Sequence, residues 1–250
     1  MNDVDKLAPH PPLTKYYADE TARHRWLRRV FDTTAGDYDK IESLMAFGSG
    51  PWYRRQALQR AGLTAGMRVL DVGTGTGLTA IEAAQLAGGG AHITGVDPSA
   101  GMLAHANMPS GMRVIEGRAE ELPVDDASFD FVSMGFALRH VSDLRVVFSE
   151  FHRALRPGGR ACVLEITRPA GSVATLWLRV YMRYAVPALA RLAGRSRDMP
   201  ELMRYYWDSI EACVPPQQVI EALKAAGFVN VSRNVVLGIF SEYVAVKAGE

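Results

Sequence analysis

The sequence predicts an α/β fold built around a mainly parallel sheet. Two observations carry that prediction. Short β-branched runs alternate with longer amphipathic stretches through the middle of the chain, the pattern of successive βα units. One of these units, Arg68 to Ala84, joins a short apolar run to a helix through Gly73-Thr74-Gly75-Thr76-Gly77. Its strand, Val69-Leu70-Asp71-Val72, is apolar and β-branched, as a central parallel strand requires. The chain has 250 residues and 48% hydrophobic content, enough for one core with appendages. The expectation is therefore a single domain over 1–250.

Taken in order, residues 1–14 are polar and proline-bearing and read as a mobile tail. Residues 15–60 read as an N-terminal helical flap. An amphipathic helix fits Lys15 to Phe31, followed by a glycine-bearing loop, Phe31 to Asp39, whose aromatics and carboxylates suit a cover over a ligand. Strands are expected near 67–72, 92–96, 112–116, 129–134 and 160–166, and helices near 78–87, 99–107 and 142–155. Arg156-Pro157-Gly158-Gly159 reads as a stop and turn before the fifth strand. An insertion follows at 170–213, apolar and aromatic but carrying Arg179, Arg183 and Pro187, which argue against a membrane-spanning helix. It suits the wall of a greasy substrate site or a surface in peripheral contact with a membrane. Pro216 to Ala226 then reads as a helix capped by Gly227, and two β-rich runs, 228–236 and 239–246, close the chain around Gly238.

The bulk properties exclude several classes. A net charge of +1 provides no field to recruit nucleic acid. Two cysteines, Cys162 and Cys213, form no disulfide framework, and six scattered histidines form no metal-ligand pair. The N-terminal segment has no signal-peptide core, and the simplest reading is a cytoplasmic enzyme.

The glycine turn carries the chemistry. Glycine permits a tight turn and a close approach of ligand to main chain, and the helix that follows points free N–H groups into the turn. The spacing G-x-G-x-G departs from the G-x-G-x-x-G of dinucleotide sites. Asp71, two residues before Gly73, would repel a pyrophosphate but suits an α-amino group. Asp97, ending the next apolar run, could accept hydrogen bonds from two ribose hydroxyls. An amino acid joined to a nucleoside without phosphates is S-adenosyl-L-methionine, which leaves S-adenosyl-L-homocysteine after methyl transfer.

Further along, Phe129 to Asp143 and then Phe151 to Arg160 and Leu164 to Pro169 resemble the ubiquinone/menaquinone biosynthesis C-methyltransferase family, which methylates a ring carbon of polyprenylated quinols. Val30 to Asp39 resembles that family's N-terminal flap, and Tyr205 with Ser209-Ile210 its segment after the insertion. The resemblance implies a Rossmann-like class I methyltransferase with seven strands in the order 3-2-1-4-5-7-6, the last antiparallel. By position it implies cofactor contacts at Thr76, Asp97, Arg118, Ala119 and Gly135, beside Asp71, Gly73 and Gly77 that the turn itself points to. Arg118-Ala119 stands where the family usually has Asn-Ala, Arg139-His140 where it has Arg-Asn, and Gly50 where it has a histidine. The cofactor half thus matches more closely than the acceptor half.

A ring carbon becomes nucleophilic when an ortho or para phenol is ionised, and a phenol of pKa ~10 is mostly neutral at pH 7. Arg139 could stabilise the phenolate and His140 could remove the proton. Tyr38 and Tyr205 are candidates to close the site. The expected partner is a small hydrophobic aromatic acceptor, and a homodimer is left open. An O- or N-methyltransferase and a non-catalytic cofactor-binding paralogue remain alternatives, while a nicotinamide oxidoreductase is disfavoured by the glycine spacing and the closing hairpin.

Overall fold

Strand β1 (Val69–Val72) is buried at all four positions and lies between two parallel neighbours, β2 (Ile93–Asp97) and β4 (Phe129–Gly135). The structure, a computed structural model, describes residues 6–193 and 196–249. Beyond β2 lies β3 (Arg113–Glu116), and beyond β4 lies β5 (Leu155–Ile166), both parallel. The chain closes with β6 (Phe228–Val236) on the edge and β7 (Phe240–Lys247) inserted antiparallel between β6 and β5. The order is β3-β2-β1-β4-β5-β7-β6, as the resemblance implied.

Helices cover both faces. On one, α5 (Leu144–Ala154) and α9 (Pro216–Ala225) bury Phe148, Phe151 and Leu223 against Val132, Met134 and Val163. On the other, α2 (Gly50–Arg60) and α3 (Leu78–Ala87) bury Leu58, Ala80 and Ala83 against Val69, Phe131 and Leu164. A third core lies outside the sheet. It is made by α1 (Glu20–Met45), α7 (Val186–Ala193) and α8 (Met199–Ala212), with Trp26, Val30, Val186, Leu202 and Trp207 at its centre.

Several boundaries differ from the sequence expectation for identifiable reasons. Phe31 to Asp39 is not a loop but the middle of α1, a helix of 26 residues. Asp19, not Lys15, starts it, accepting from the Ala22 N–H at 2.7 Å. Inside the helix the Thr34 hydroxyl donates to the Val30 carbonyl at 2.6 Å. The expected mobile tail is, over residues 6–14, laid against the core: the Leu144 N–H donates to Leu7 O and the Val214 N–H to Pro9 O. Residues 1–5 of that tail lie outside the described residues. Arg156 to Gly159 is not a turn before β5 but a bulge within it. Pairing with β4 jumps from Phe129↔Leu155 to Phe131↔Arg160, and Gly158 absorbs the bend at φ +79°. The helix expected at 99–107 is only α4 (Ala100–Ala104), capped by Ser99.

The insertion is helical. It opens with α6 (Ser172–Val180), passes through a π-helical turn (Tyr181–Ala185) into α7, and continues in α8. The π turn comes just before Pro187, which cannot donate a backbone hydrogen bond and so favours a widened turn ahead of it. Residues 194–195 of the insertion lie outside the described residues.

Helix α1 is fastened to the carboxyl edge of the sheet. Asp32 Oδ1 accepts from the Ser99 hydroxyl and, at 2.9 Å, from the Gly101 N–H. Arg23 donates to the Val141 carbonyl at 2.7 Å. Gly101 is required by this contact, because a Cβ there would stand 2.6 Å from the Asp32 Cα. Gly101→Ala should force α1 away from α4 and cost about 1–3 kcal/mol, the usual range for overpacking. Urea denaturation measures it, and an unchanged midpoint and slope would mean that α1 is free to shift.

Candidate functional site

A cavity of about 380 Å³ opens between the carboxyl edge of the sheet and the underside of α1. Its floor is the glycine turn. Gly73, Gly75 and Gly77 have φ of +68°, +56° and +92°, so the left-handed backbone at all three favours glycine. A Cβ at Gly75 would meet nothing within 4 Å, leaving its backbone bare. Gly77 caps α3 and is not on the lining, whereas Gly73 and Thr76 are. The Thr76 hydroxyl donates to Asp39 of α1, so turn and cover are joined.

Asp97 lines the cavity at the end of β2, as expected. Its Oδ2 accepts from the Gly75 N–H and its Oδ1 from the Ser99 N–H, both at 2.8 Å. Burial raises its pKa to about 6, with those two N–H groups pulling it back. Asp71 is placed differently from the sequence expectation. It accepts from the Thr74 and Ser133 hydroxyls, at 2.7 and 2.6 Å, and lies behind the turn rather than on the lining. Burial raises it to about 6 as well. Arg118 and Ala119 line the same end, with Arg118 turned toward His24 of α1 at 3.2 Å. Gly135 is on the lining too, but its lack of a side chain serves packing: a Cβ would lie 2.2 Å from Thr79 Oγ1.

The other end is aromatic, lined by Phe31, Tyr38, Phe136, His140 and Tyr206. The His140 ring is stacked between Tyr205 and Tyr206, with centroids 5.6 and 5.7 Å away. Its Nδ1 pairs with the Tyr205 hydroxyl at 3.3 Å, and its Nε2 is buried without a partner. Burial, then the Arg139 charge, holds His140 well below the ordinary histidine range, so it is neutral. Tyr38 and Tyr206 share a hydrogen bond of 2.7 Å between their hydroxyls. Burial raises both, Tyr38 to about 12.

Arg139 departs from its expected place. Adjacent residues in a short 3-10 turn (Leu138–His140) point in different directions, and only His140 reaches the cavity. The Arg139 guanidinium is buried beside Glu165 at 2.9 Å, donates to Ser209 at 2.6 Å and lies over the Tyr206 ring at 5.3 Å. Its charge is engaged in packing α8 on the sheet, not offered to a ligand. Tyr205 is likewise behind the lining, where it supports His140.

Tyr206, His24 and Arg54 line the cavity without having been expected there, while Phe31, an aromatic of the expected cover, does line it. Arg54 is 3% exposed; its Nη2 donates to Glu42 at 2.7 Å, while Nε and Nη1 have no partner. A buried arginine on a helix with little amphipathic pattern leaves no sequence signal beyond its charge.

This sheet order, with a glycine turn after β1 and an acid at the end of β2 facing one cavity, defines the class I S-adenosylmethionine-dependent methyltransferases. Solved structures share the fold. A possible histamine N-methyltransferase from Thermotoga maritima superposes with a TM-score of 0.61 at 20% identity, covering 88% of this chain and 99% of that one. A Haemonchus contortus phosphoethanolamine N-methyltransferase in complex with S-adenosyl-L-methionine gives 0.56 at 20% identity, covering 79% and 53%. Residues 18–247 match the model of the ubiE/COQ5 methyltransferase family, and the chain belongs to that family. It is 33% identical over 249 residues to the ubiquinone/menaquinone biosynthesis C-methyltransferase UbiE of Rubrivivax gelatinosus, covering 95% of this chain and 94% of that protein. It is 32% identical over 192 residues to a demethylmenaquinone methyltransferase of Staphylococcus aureus, covering 75% and 79%. The protein is an S-adenosylmethionine-dependent methyltransferase.

Folded Asp97 keeps its proton up to about pH 6, whereas an unfolded aspartate releases it near its ordinary value of 3.8. Between those values the folded state binds more protons, so this residue makes stability fall as pH rises. Asp97→Asn removes that loss. Its stability relative to the parent should rise by roughly 2–3 kcal/mol between about pH 4 and pH 7, read from urea unfolding across pH. A difference that stays flat would contradict the burial argument.

Proposed function

We propose that the protein methylates a ring carbon of a hydrophobic quinol or phenol. The observation that carries this reading is the unpartnered Nε2 of a neutral histidine at the aromatic end of the cavity whose floor is the glycine turn. The names of its relatives, which specify ubiquinone, menaquinone and demethylmenaquinone, support it.

The lining residues fit the donor. The bare Gly75 backbone admits a ligand at van der Waals distance, and Asp97 retains lone pairs for two ribose hydroxyls. Gly73, Thr76, Arg118, Ala119 and Gly135 lie along the same wall. Asp71 acts from behind, holding Thr74 in the turn. When bound, S-adenosylmethionine supplies an electrophilic methyl group on a sulfonium, open to in-line displacement.

The chain's own residues then prepare the acceptor. With its proton on Nδ1, donated to the Tyr205 oxygen, His140 presents a basic Nε2 to a phenol lying in the cavity. Phe31, Phe136 and Tyr206 enclose the ring and exclude water, which strengthens each polar contact inside. The Tyr38–Tyr206 hydroxyl pair, neutral at all ordinary pH, can donate one hydrogen bond to the developing phenolate. Arg139 works as a positioning residue through Tyr206, whose backbone carbonyl it also binds at 3.3 Å.

Among the described residues no helix is long and apolar enough to cross a membrane. Helix α6 nevertheless exposes Val173, Leu176 and Trp177, the last at 72%, beside Arg168 and Arg179. That combination supports a peripheral contact with an anionic bilayer from which a lipid-tailed acceptor is drawn. Trp177→Ser should then weaken co-sedimentation with anionic vesicles several-fold and leave turnover of a short-tailed quinol unchanged; equal sedimentation would remove the membrane role.

Transfer of labelled methyl from S-adenosylmethionine to a panel of quinols and phenols tests the function itself. Activity confined to polar amines would overturn it. His140→Ala and His140→Asn should each lower kcat by roughly 10²–10⁴-fold. Because His140 is held well below the ordinary histidine range, kcat at saturating donor should show no acid limb near 6.5, whereas donor affinity falls as Asp97 gains its proton at about 6. An acid limb centred at 6.5, or full activity in His140→Asn, would remove His140 as the base.

A further inference from the structure

The cavity holds a cation that nothing in the protein fully satisfies. Arg54, on α2, has two guanidinium nitrogens, Nε and Nη1, that are buried and unpartnered, and the residue lines the cavity. Leaving charged donors buried without acceptors is costly, and native structures rarely do so where no ligand comes. The group is held in place on both sides. Nη2 is tied to Glu42 of α1 at 2.7 Å, and the guanidinium lies over the Phe136 ring, 5.3 Å from its centroid. Gly50 leaves it room: a Cβ there would stand 2.6 Å from Nη1.

The charges around Arg54 narrow the ligand. Burial raises Asp39 and Asp71, and the Arg54 charge pulls both back, as it does Tyr38. His140, at the acceptor end, feels Arg139, Arg23 and His10 instead. Arg54 therefore stands where the glycine turn meets the aromatic end, with Asp39 and Asp71 on its turn side. Beside it stand carboxylates that are hydrogen-bonded within the protein: Asp39 to Thr76, and Asp71 to Thr74 and Ser133. A cation with two unspent donors next to fixed anions complements a zwitterion, with carboxylate on the guanidinium and ammonium toward the acids.

We infer that Arg54 anchors the α-carboxylate of the methyl donor, so that the site reads the donor's amino-acid end as well as its nucleoside end. This rests on the reading that S-adenosylmethionine lies along the glycine turn. Each unpartnered nitrogen, Nε or Nη1, can give a carboxylate a charge-assisted hydrogen bond, and the planar guanidinium fixes its direction. Anchoring there and at Asp97 would hold the donor from both ends and fix the sulfonium between them.

The test is calorimetric binding of two ligands that differ only in the carboxylate: S-adenosylhomocysteine and its decarboxylated analogue S-adenosyl-3-thiopropylamine, which keeps the amine. Each is titrated into the full-length wild type, Arg54→Met and Arg54→Lys. The wild type should favour S-adenosylhomocysteine by about 10- to 100-fold. Arg54→Met should lose that preference while binding the analogue within about threefold of wild type, which also reports that its site is folded. Arg54→Lys should restore part of the preference. A preference that survives unchanged in Arg54→Met overturns the assignment. So does an equal loss for both ligands, which would make Arg54 a structural residue only. Failure of the wild type to bind S-adenosylhomocysteine at all would overturn the donor reading beneath it.

Discussion

Helix α1 lies across the carboxyl edge of the sheet, and the chemistry of the site depends on its staying there. Asp32 holds it to the β2–α4 connection, Asp39 to the glycine turn, and Arg23 to the segment after β4. Open parallel sheets leave their ligand crevice exposed at this edge. Here the helix makes the crevice a covered cavity. Burial is then the leading cause behind the shifts of Asp71 and Asp97 upward, Tyr38 and Tyr206 upward, and His140 downward. One structural act thus yields tyrosines that stay neutral and a histidine that stays unprotonated.

The two ends of the cavity rest on different cores. The glycine-turn end is built on the sheet and its flanking helices. The aromatic end is built on α1 and the insertion, which form a core of their own. The Arg139–Glu165 pair joins the two, one residue following β4, the other at the end of β5, with α8 held above by Ser209 and the Tyr206 carbonyl. A buried pair of this kind is weak as a source of net stability, but removing one partner strands the other. Its location suggests a registry role: it sets where Tyr206 stands over the sheet.

The sheet was legible because its signals are local. β-branched runs, glycine at positive-φ positions and the Pro-started helix before the closing pair each act through their own backbone. The cover was not. Phe31 to Asp39 contains Thr33, Thr34, Gly36 and Asp37, residues that favour loops when read alone, yet packing against α7, α8 and α4 keeps the segment helical. Side-chain direction was also hidden. Arg139 and His140 are adjacent, as are Tyr205 and Tyr206, and which of each pair faces the cavity depends on tertiary phase rather than residue type. In both cases the polar candidate nearest the resemblance, Arg139 or Tyr205, became the support, and its neighbour became the lining. Arg54 offered only one charge among neighbours until burial distinguished it.

The central claim is the proposal that a neutral histidine beneath α1 takes the phenol proton, so that a ring carbon can accept the methyl group. It is tested most directly by carrying ¹³C-methyl from labelled S-adenosylmethionine to a demethylated quinol and locating the label in the product by NMR. The account predicts a methyl carbon coupled to ring carbon alone, with wild-type protein, and loss of that product in His140→Asn. Label found on the phenolic oxygen with undiminished turnover would contradict it.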